Sequence, residues 1–407
     1  MQPKSNARIG MWVAILKGVL LGVGLLVVFL AGFFVRDVLA PVSPSLVMAD
    51  PSTTYPLLSE VQGLLETHYL RDLPAQNELE YSAIRGLVSS LNDPYTLFVD
   101  PPVARSESDV LAGQYGGIGV QVLHAASGSF ELYPFADGPA AQAGIEDGDI
   151  LLAIDDWVLE PNARLDVIDQ AMRGEVGDGN GVTLQVLKRS TQEQITYDIA
   201  YAVIEVPSVI WRQLVEDERL GYLQILRFTS RTPDELQAAL EGLDALHLDG
   251  WVLDMRNNAG GLLQESIEVA DDFLDQGVIL YEDSRSGESQ FDATPGGLGL
   301  DVPLIILVNH GTASAAELVA GALRDDGRAI LIGQRTYGKG SVQLIFPLSD
   351  GSSLHVTTAE WFTPNRTPLE RNGLEPDISM IPAEDGRDVE LEEAIRQLHQ
   401  QIAQTTG

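Results

Sequence analysis

The chain of 407 residues has no cysteine, which excludes thiol nucleophiles, thiolate metal sites, disulfides and cysteine lipidation together. It is also short of positive charge: 25 Lys and Arg face 59 Asp and Glu, a formal net charge of −34. A phosphate backbone would be repelled by that surplus, so nucleic acid is excluded as a partner and the acidity reads as a solvated surface. Histidine is scarce, at six residues, and no H-E-x-x-H or other close ligand cluster occurs, so neither a catalytic metal nor another cofactor is indicated. Long apolar runs are missing too, with one exception.

That exception is "GVLLGVGLLVVFLAGFFV", from Gly18 to Val35, uncharged and about as long as a bilayer-spanning helix. Lys4, Arg8 and Lys17 precede it, which places the start of the chain in the cytoplasm and the bulk outside. Length favours a signal anchor, giving a membrane-tethered protein whose globular part is extracytoplasmic, in the periplasm or outside the cell. "VMAD" at residues 47 to 50 resembles a small-residue cleavage site, and cleavage there would make the protein secreted.

The rest is long enough for two or three domains, and its 45% hydrophobic content permits real cores. After a linker at 36–56, Leu58, Val61, Leu64, Leu65, Ile84 and Leu87 recur at helical spacing, so two short helices are expected before "LNDPYTLFVDPP" breaks the pattern. Residues 103–204 read mostly as strands, with a helix near 164–173 and the alternating run "GVTLQVLKR" at 181–189. Gly116, Gly117 and Gly119 are expected to turn consecutive N–H groups toward one concavity that could hold a carboxylate. A strand edge beside that loop could accept an extended peptide. Together with "GPAAQAGIEDGDIL", these glycines resemble a PDZ domain, with Tyr115, Gly116, Gly117, Ile118 and Gly119 as the cradle and Ile118 as an apolar contact.

Beyond Pro207 strands and helices alternate, the pattern of an α/β layered core. "GWVLDMRNNAGGLL" and "VPLIILVNHGTASAAELVAGAL" each run a buried strand through a small-residue turn into a helix. Two such units set two helix N-termini at one end of a sheet, where free N–H groups favour developing negative charge. Ser314 would open the second helix, with its hydroxyl beside the N–H of Ala315. Capping is the ordinary use of such a serine. Lys339 in "TYGKGSVQ" changes that reading, because its loop follows one helix and one strand later and can return to the same end of the sheet. A desolvated lysine can take a proton from a serine hydroxyl. If 339–343 is extended, Lys339, Ser341 and Gln343 share one face, and Gln343 could orient the amine. No G-x-S-x-G elbow surrounds Ser314, and a histidine base such as His310 is disfavoured. Asp254 and Arg256 read as structural polar contacts near the glycine turn. Leu391, Ile395, Leu398 and Ile402 at helical spacing form a last helix at 383–407, packing on the body or mediating self-association, so a homo-oligomer stays open.

"GTASAAELVAGALRDDG", "TYGKGSVQ", "LDMRNNAGG" and "LNDPYT" together resemble the C-terminal processing peptidases, or tail-specific proteases, over residues 57 to 382. The resemblance implies a helical segment at 57–102, an inserted PDZ domain at 103–204 and a ClpP/crotonase-like layered protease core at 205–382. It implies a serine endopeptidase with Ser314 as nucleophile, Lys339 as general base and Gln343 assisting. Ala315 and one of Gly260 and Gly261 would supply oxyanion N–H groups, and substrates would be proteins or peptides engaged through their C-termini. Two positions depart from the family: Ala259 stands where proline is common, and Thr312 where serine is. A membrane-tethered peptide-binding scaffold with an inert core is the alternative. An acyl-CoA enzyme of crotonase type fits the layers but leaves the PDZ segment unexplained.

Overall fold

The computed structural model describes residues 55–125, 128–300, 302–383 and 385–405. The apolar run at 18–35 and most of the linker lie outside the described residues, among which no helix is long and apolar enough to cross a membrane. The chain divides into a unit ending at Glu78 and a second beginning at Leu79. The first contains α1 (Pro56–His68), which starts on a proline that needs no N–H partner there, and the opening residues of α2 (Gln76–Ser89). These are the two expected helices.

In the second unit, α2 gives way to the Asn92–Thr96 turn, β1 (Leu97–Val99) and α3 (Pro101–Ala112). α3 stands where the sequence pattern from residue 103 onward predicts mostly strands. Its start is written by Pro101 and Pro102 in the first turn, and its end by Gly113 in the left-handed conformation, φ +66°. A module follows, made of β2 (Gln114–Gly117), β3 (Val120–His124), β4 (Phe130–Pro134), α4 (Pro139–Ala143), β5 (Asp149–Ile154), β6 (Trp157–Val158), α5 (Leu165–Ala171), β7 (Gly181–Leu187), β8 (Gln194–Ala200) and β9 (Ala202–Glu205). Its antiparallel sheet has the order β3-β4-β5-β7-β8, so β3 is an edge strand. Phe130, Leu132, Leu151, Ile168, Leu184 and Val186 fill a core of its own. Where the chain enters and leaves, β2 pairs with β9.

The body is built on β10 (Val209–Gln213), β11 (Leu220–Ile225), α6 (Thr232–Ala245), β12 (Gly250–Asp254), α7 (Leu263–Asp271), β13 (Val278–Ser284), β14 (Gly287–Asp292), β15 (Leu304–Val308), α8 (Ala315–Asp325), β16 (Ile330–Gly333), β17 (Ser341–Pro347), β18 (Ser353–Phe362), β19 (Ile378–Ser379) and α9 (Val389–Thr405). A six-stranded sheet runs β10-β11-β12-β15-β16-β19, parallel from β11 onward. Its central strands are continuous apolar runs because both faces are covered. Alternate residues part: Trp251, Leu253, Leu304 and Ile306 join α6, α7 and α8 on one face, whereas Val252, Ile305 and Leu307 meet Leu391, Ala394 and Leu398 of α9 on the other. A second, antiparallel sheet contains β1-β18-β13-β14, with β17 also on β18.

The last helix therefore packs on the body, and Arg256 fastens its start by pairing with Asp254 (2.6 Å), Asp388 (2.8 Å) and Glu390 (2.7 Å). Asp254 and Arg256 are structural contacts, as read from the sequence, but they serve α9. Leu398 is fully buried under the sheet. Leu398→Ala is expected to cost about 2–5 kcal/mol in urea unfolding, and a change within error would contradict the placement of α9 as part of the core.

Candidate active site

The neighbouring parallel strands β12 and β15 end side by side, so their following turns meet. Asn258 knits them: its side-chain N–H donates to the Ile225 carbonyl (2.9 Å), its side-chain oxygen accepts the Gly260 N–H (2.9 Å), and its own carbonyl accepts the Ala313 N–H (2.9 Å). Asn257 and Asn309 exchange two further bonds. Thr312 donates its hydroxyl to the Met255 carbonyl and accepts the Asn309 N–H, both at 2.9 Å. The threonine thus does the work of a serine. Ala259 is exposed, and Asn258 supplies the rigidity a proline would have given.

Gly260 must be glycine on two counts: its φ is +95°, and a Cβ would lie 2.9 Å from both the Ala313 carbonyl and the Ser314 Cβ. That contact puts the glycine turn against Ser314. The Gly260 N–H is consumed by Asn258, whereas the N–H groups of Gly261 and Ala315 have no acceptor among the described residues. Of the two glycines, Gly261 has the amide left to donate.

Ser314 takes the N-cap position of α8 with φ +56° and ψ −122°. A side chain in that region costs about 1–3 kcal/mol and persists only where the surroundings impose it. The imposing group is Glu317, one turn into the helix and fully buried. Its carboxylate accepts the N–H of Ser314 (2.9 Å), of Gly338 (2.7 Å) and of Lys339 (2.9 Å), and the hydroxyl of Thr336. Burial pushes its pKa up, and the four donors pull against that. One carboxylate therefore holds the serine turn and the lysine loop together. The sequence carries one signal for Glu317 that was not read: it stands three residues after the serine, the spacing of a capping box.

Gly338 and Gly340 bracket Lys339 because the loop lies on the 369–373 segment. A Cβ at Gly338 would come within 2.8 Å of the Gly373 nitrogen, and one at Gly340 within 2.7 Å of the Glu370 nitrogen. Lys339 is half-buried; burial lowers its pKa from the ordinary 10.5, and Glu370 opposes the shift. Its Nζ makes no ion pair among the described residues and lies 5.2 Å from the centroid of the Tyr95 ring. Ser314, Ala315, Gly261, Lys339 and Gln343 all line one cavity of about 740 Å³. Val110, Leu111, Leu262, Leu263, Leu344 and Ile345 give it apolar walls, and Glu107 and His355 meet at 3.2 Å within the same lining.

Gln343 departs from the expected arrangement. β17 begins at Ser341, after Lys339, and an irregularity between Val342 and Gln343 shifts its register against β18. The simple alternation fails, and the Gln343 side-chain N–H donates to Ser341 (3.0 Å) and Thr357 (3.4 Å), not to Lys339.

The glycine cradle in the module is also narrower than expected. Gly116 and Gly117 belong to β2, paired with Val203 and Ala202, so only Gly119 adopts positive φ, +66°. Ile118 is 1% exposed and spent in the module core, not presented to a ligand. Tyr115 is covered by Arg173, whose guanidinium lies 4.0 Å from its ring centroid. The Gly119 N–H has no acceptor among the described residues and opens beside the free edge of β3, whereas the bridge between Gly117 and Arg173 turns the Ile118 N–H toward the Met172 carbonyl.

Residues 219–380 match the profile of peptidase family S41. The carboxy-terminal-processing protease of Bartonella bacilliformis is 36% identical over 359 residues, 86% of this chain and 81% of that one. The carboxyl-terminal-processing protease of Synechocystis sp. is 33% identical over 320 residues, 77% and 74% of the two chains. Carboxy-terminal processing protease CtpB of Bacillus subtilis is 30% identical over 326 residues, 79% and 67%. The chain is thus a serine-type peptidase. It belongs to the C-terminal processing peptidases of family S41.

Removing the shared acceptor should strand four donors, each costing about 1–3 kcal/mol if left unmet. Glu317→Ala is expected to lower stability by about 3 kcal/mol or more and peptide turnover at least about tenfold. Unchanged melting together with unchanged turnover would contradict the clamp.

Proposed function

We propose that the protein hydrolyses peptide bonds of protein substrates engaged near their C-termini, through a Ser314–Lys339 dyad and an acyl-enzyme. The observation that carries this reading is the shared cavity: a serine held in strained backbone and a half-buried lysine with no ion pair among the described residues line the same cavity. Neutral Lys339 takes the Ser314 proton as Oγ attacks the substrate carbonyl. The resulting oxyanion accepts the N–H groups of Ala315 and Gly261, at a helix N-terminus whose dipole favours negative charge. Lys339 returns the proton to the leaving amine, and water attacks the ester with the lysine again as base. Gln343 acts on the lysine loop through Ser341. The apolar walls favour substrate segments with apolar side chains.

The module supports C-terminal selection as a PDZ domain. A substrate tail adds to the β3 edge, and its carboxylate meets the Gly119 amide. The basic-flanked apolar run at 18–35 supports a membrane tether with this machinery outside the cytoplasm. An inert scaffold draws no support from a chain that retains serine, lysine and two free amides around one cavity.

Ser314→Ala and Lys339→Ala are each expected to lower turnover of a loosely folded protein by about 10³-fold or more. Because the neutral amine is the working form, kcat/KM should fall as pH drops through the lowered lysine pKa. A rate that stays flat into acid, or an active Lys339→Ala enzyme, would remove the dyad. For the module, a peptide with a free C-terminus should bind the Ser314→Ala chain about tenfold or more tightly than its amidated twin, as loss of a charge-assisted hydrogen bond implies. Equal affinity would remove the cradle.

A further inference from the structure

The "NDPYT" turn has no part in the chemistry described so far, yet it places an aromatic ring beside the lysine. Asp93 fixes the turn by accepting the Tyr95 N–H (3.0 Å) and the Thr96 hydroxyl (2.6 Å). Thr96 Oγ1 in turn accepts the Thr357 N–H (3.0 Å), and β1 then pairs along β18, Leu97 opposite His355. Thr357 is also the residue that Gln343 reaches at 3.4 Å. Tyr95 is thereby pinned to the strand that backs the lysine loop. Its partly buried ring lies 5.2 Å from Lys339 Nζ, within cation–π range.

We propose that Tyr95 is a positioning residue for Lys339: its ring holds the ammonium in the resting enzyme and sets the pH at which the amine becomes free to deprotonate Ser314. The inference rests on the dyad reading above. A carboxylate in direct contact would hold the lysine charged too firmly to serve as a base, whereas a bare apolar wall would give its charged form no hold. The ring quadrupole lies between those extremes. None of the other charged groups around the pair forms an ion pair with Lys339 among the described residues. Glu370 acts on the lysine from the facing loop while its carboxylate accepts the Gly340 N–H (3.0 Å). Glu317 is saturated by its four donors. Tyr337 and Arg371 act on Tyr95 from the lysine loop and the 369–373 segment. Glu107 and His355, on α3 and β18, pair at 3.2 Å in the cavity lining, to which Arg227 also contributes. Burial lowers the lysine pKa; the ring opposes that by favouring the charged form.

The test is the acid limb of kcat/KM against pH in the full chain. Tyr95→Phe keeps the ring and should leave the limb in place. Tyr95→Leu keeps apolar cover without the quadrupole, so the limb should move to lower pH by roughly half a unit to one unit. Phenylalanines of rising ring fluorination inserted at position 95 preserve shape while draining the quadrupole, and they should move the limb down in step. This series keeps the test decisive if the leucine variant melts early. A limb that ignores fluorination, or moves upward, overturns the proposal. Lys339→Ala separates the two ideas: residual full turnover there would sink the dyad, whereas a dead Lys339→Ala enzyme with an unmoved limb sinks only the role of Tyr95.

Discussion

The buried carboxylate of Glu317 is the constraint from which the site follows. Taking an ionised carboxylate out of water costs several kcal/mol, and it persists only where its lone pairs are met. Here three backbone N–H groups and one hydroxyl meet them, drawn from two separate loops. The serine turn and the lysine loop are therefore not independent surfaces that happen to be close. A displacement of either would strand a charge in the interior. That stake also explains how Ser314 can be kept at φ +56°, where a non-glycine residue ordinarily relaxes.

The sheet supplies the frame for this clamp. Parallel neighbours β12 and β15 bring their C-terminal ends together, and Asn257, Asn258, Asn309 and Thr312 lock the two turns into one platform. On this platform the Gly260 amide is spent internally, which leaves Gly261 and Ala315 to face the cavity. Lys339 is under opposed influences: burial disfavours the charged amine and Glu370 favours it, while the Tyr95 ring lies 5.2 Å from its Nζ. α3 supplies one wall of the cavity and leads directly into the module, so the segment that reaches the module also touches the site.

Much of this was legible from residues alone. Continuous apolar runs announced the two-sided strands, and small residues before Ser314 and glycines around Lys339 marked loops that pack tightly. The helical spacing of Leu391, Ile395, Leu398 and Ile402 named the face that α9 buries. Other features escaped for identifiable reasons. Helix α3 begins with two prolines and carries few apolar residues, so periodicity could not reveal it. The irregularity in β17 depends on how it pairs with β18, a long-range property, and it turns Gln343 toward Ser341. Gly116 and Gly117 looked like loop residues, but their partners in β9 lie almost ninety positions away, roughly the whole length of the module. The role of Glu317 depends on the lysine loop folding over it, a contact between segments some twenty positions apart.

Amide hydrogen exchange at Ser314, Gly338 and Lys339 tests the clamp most directly. If one buried carboxylate holds all three N–H groups, they should exchange slowly and with a common opening free energy, as members of one cooperative unit. Free exchange at Gly338 and Lys339 while Ser314 stays protected would show two loops moving separately, and the account built on their union would fail.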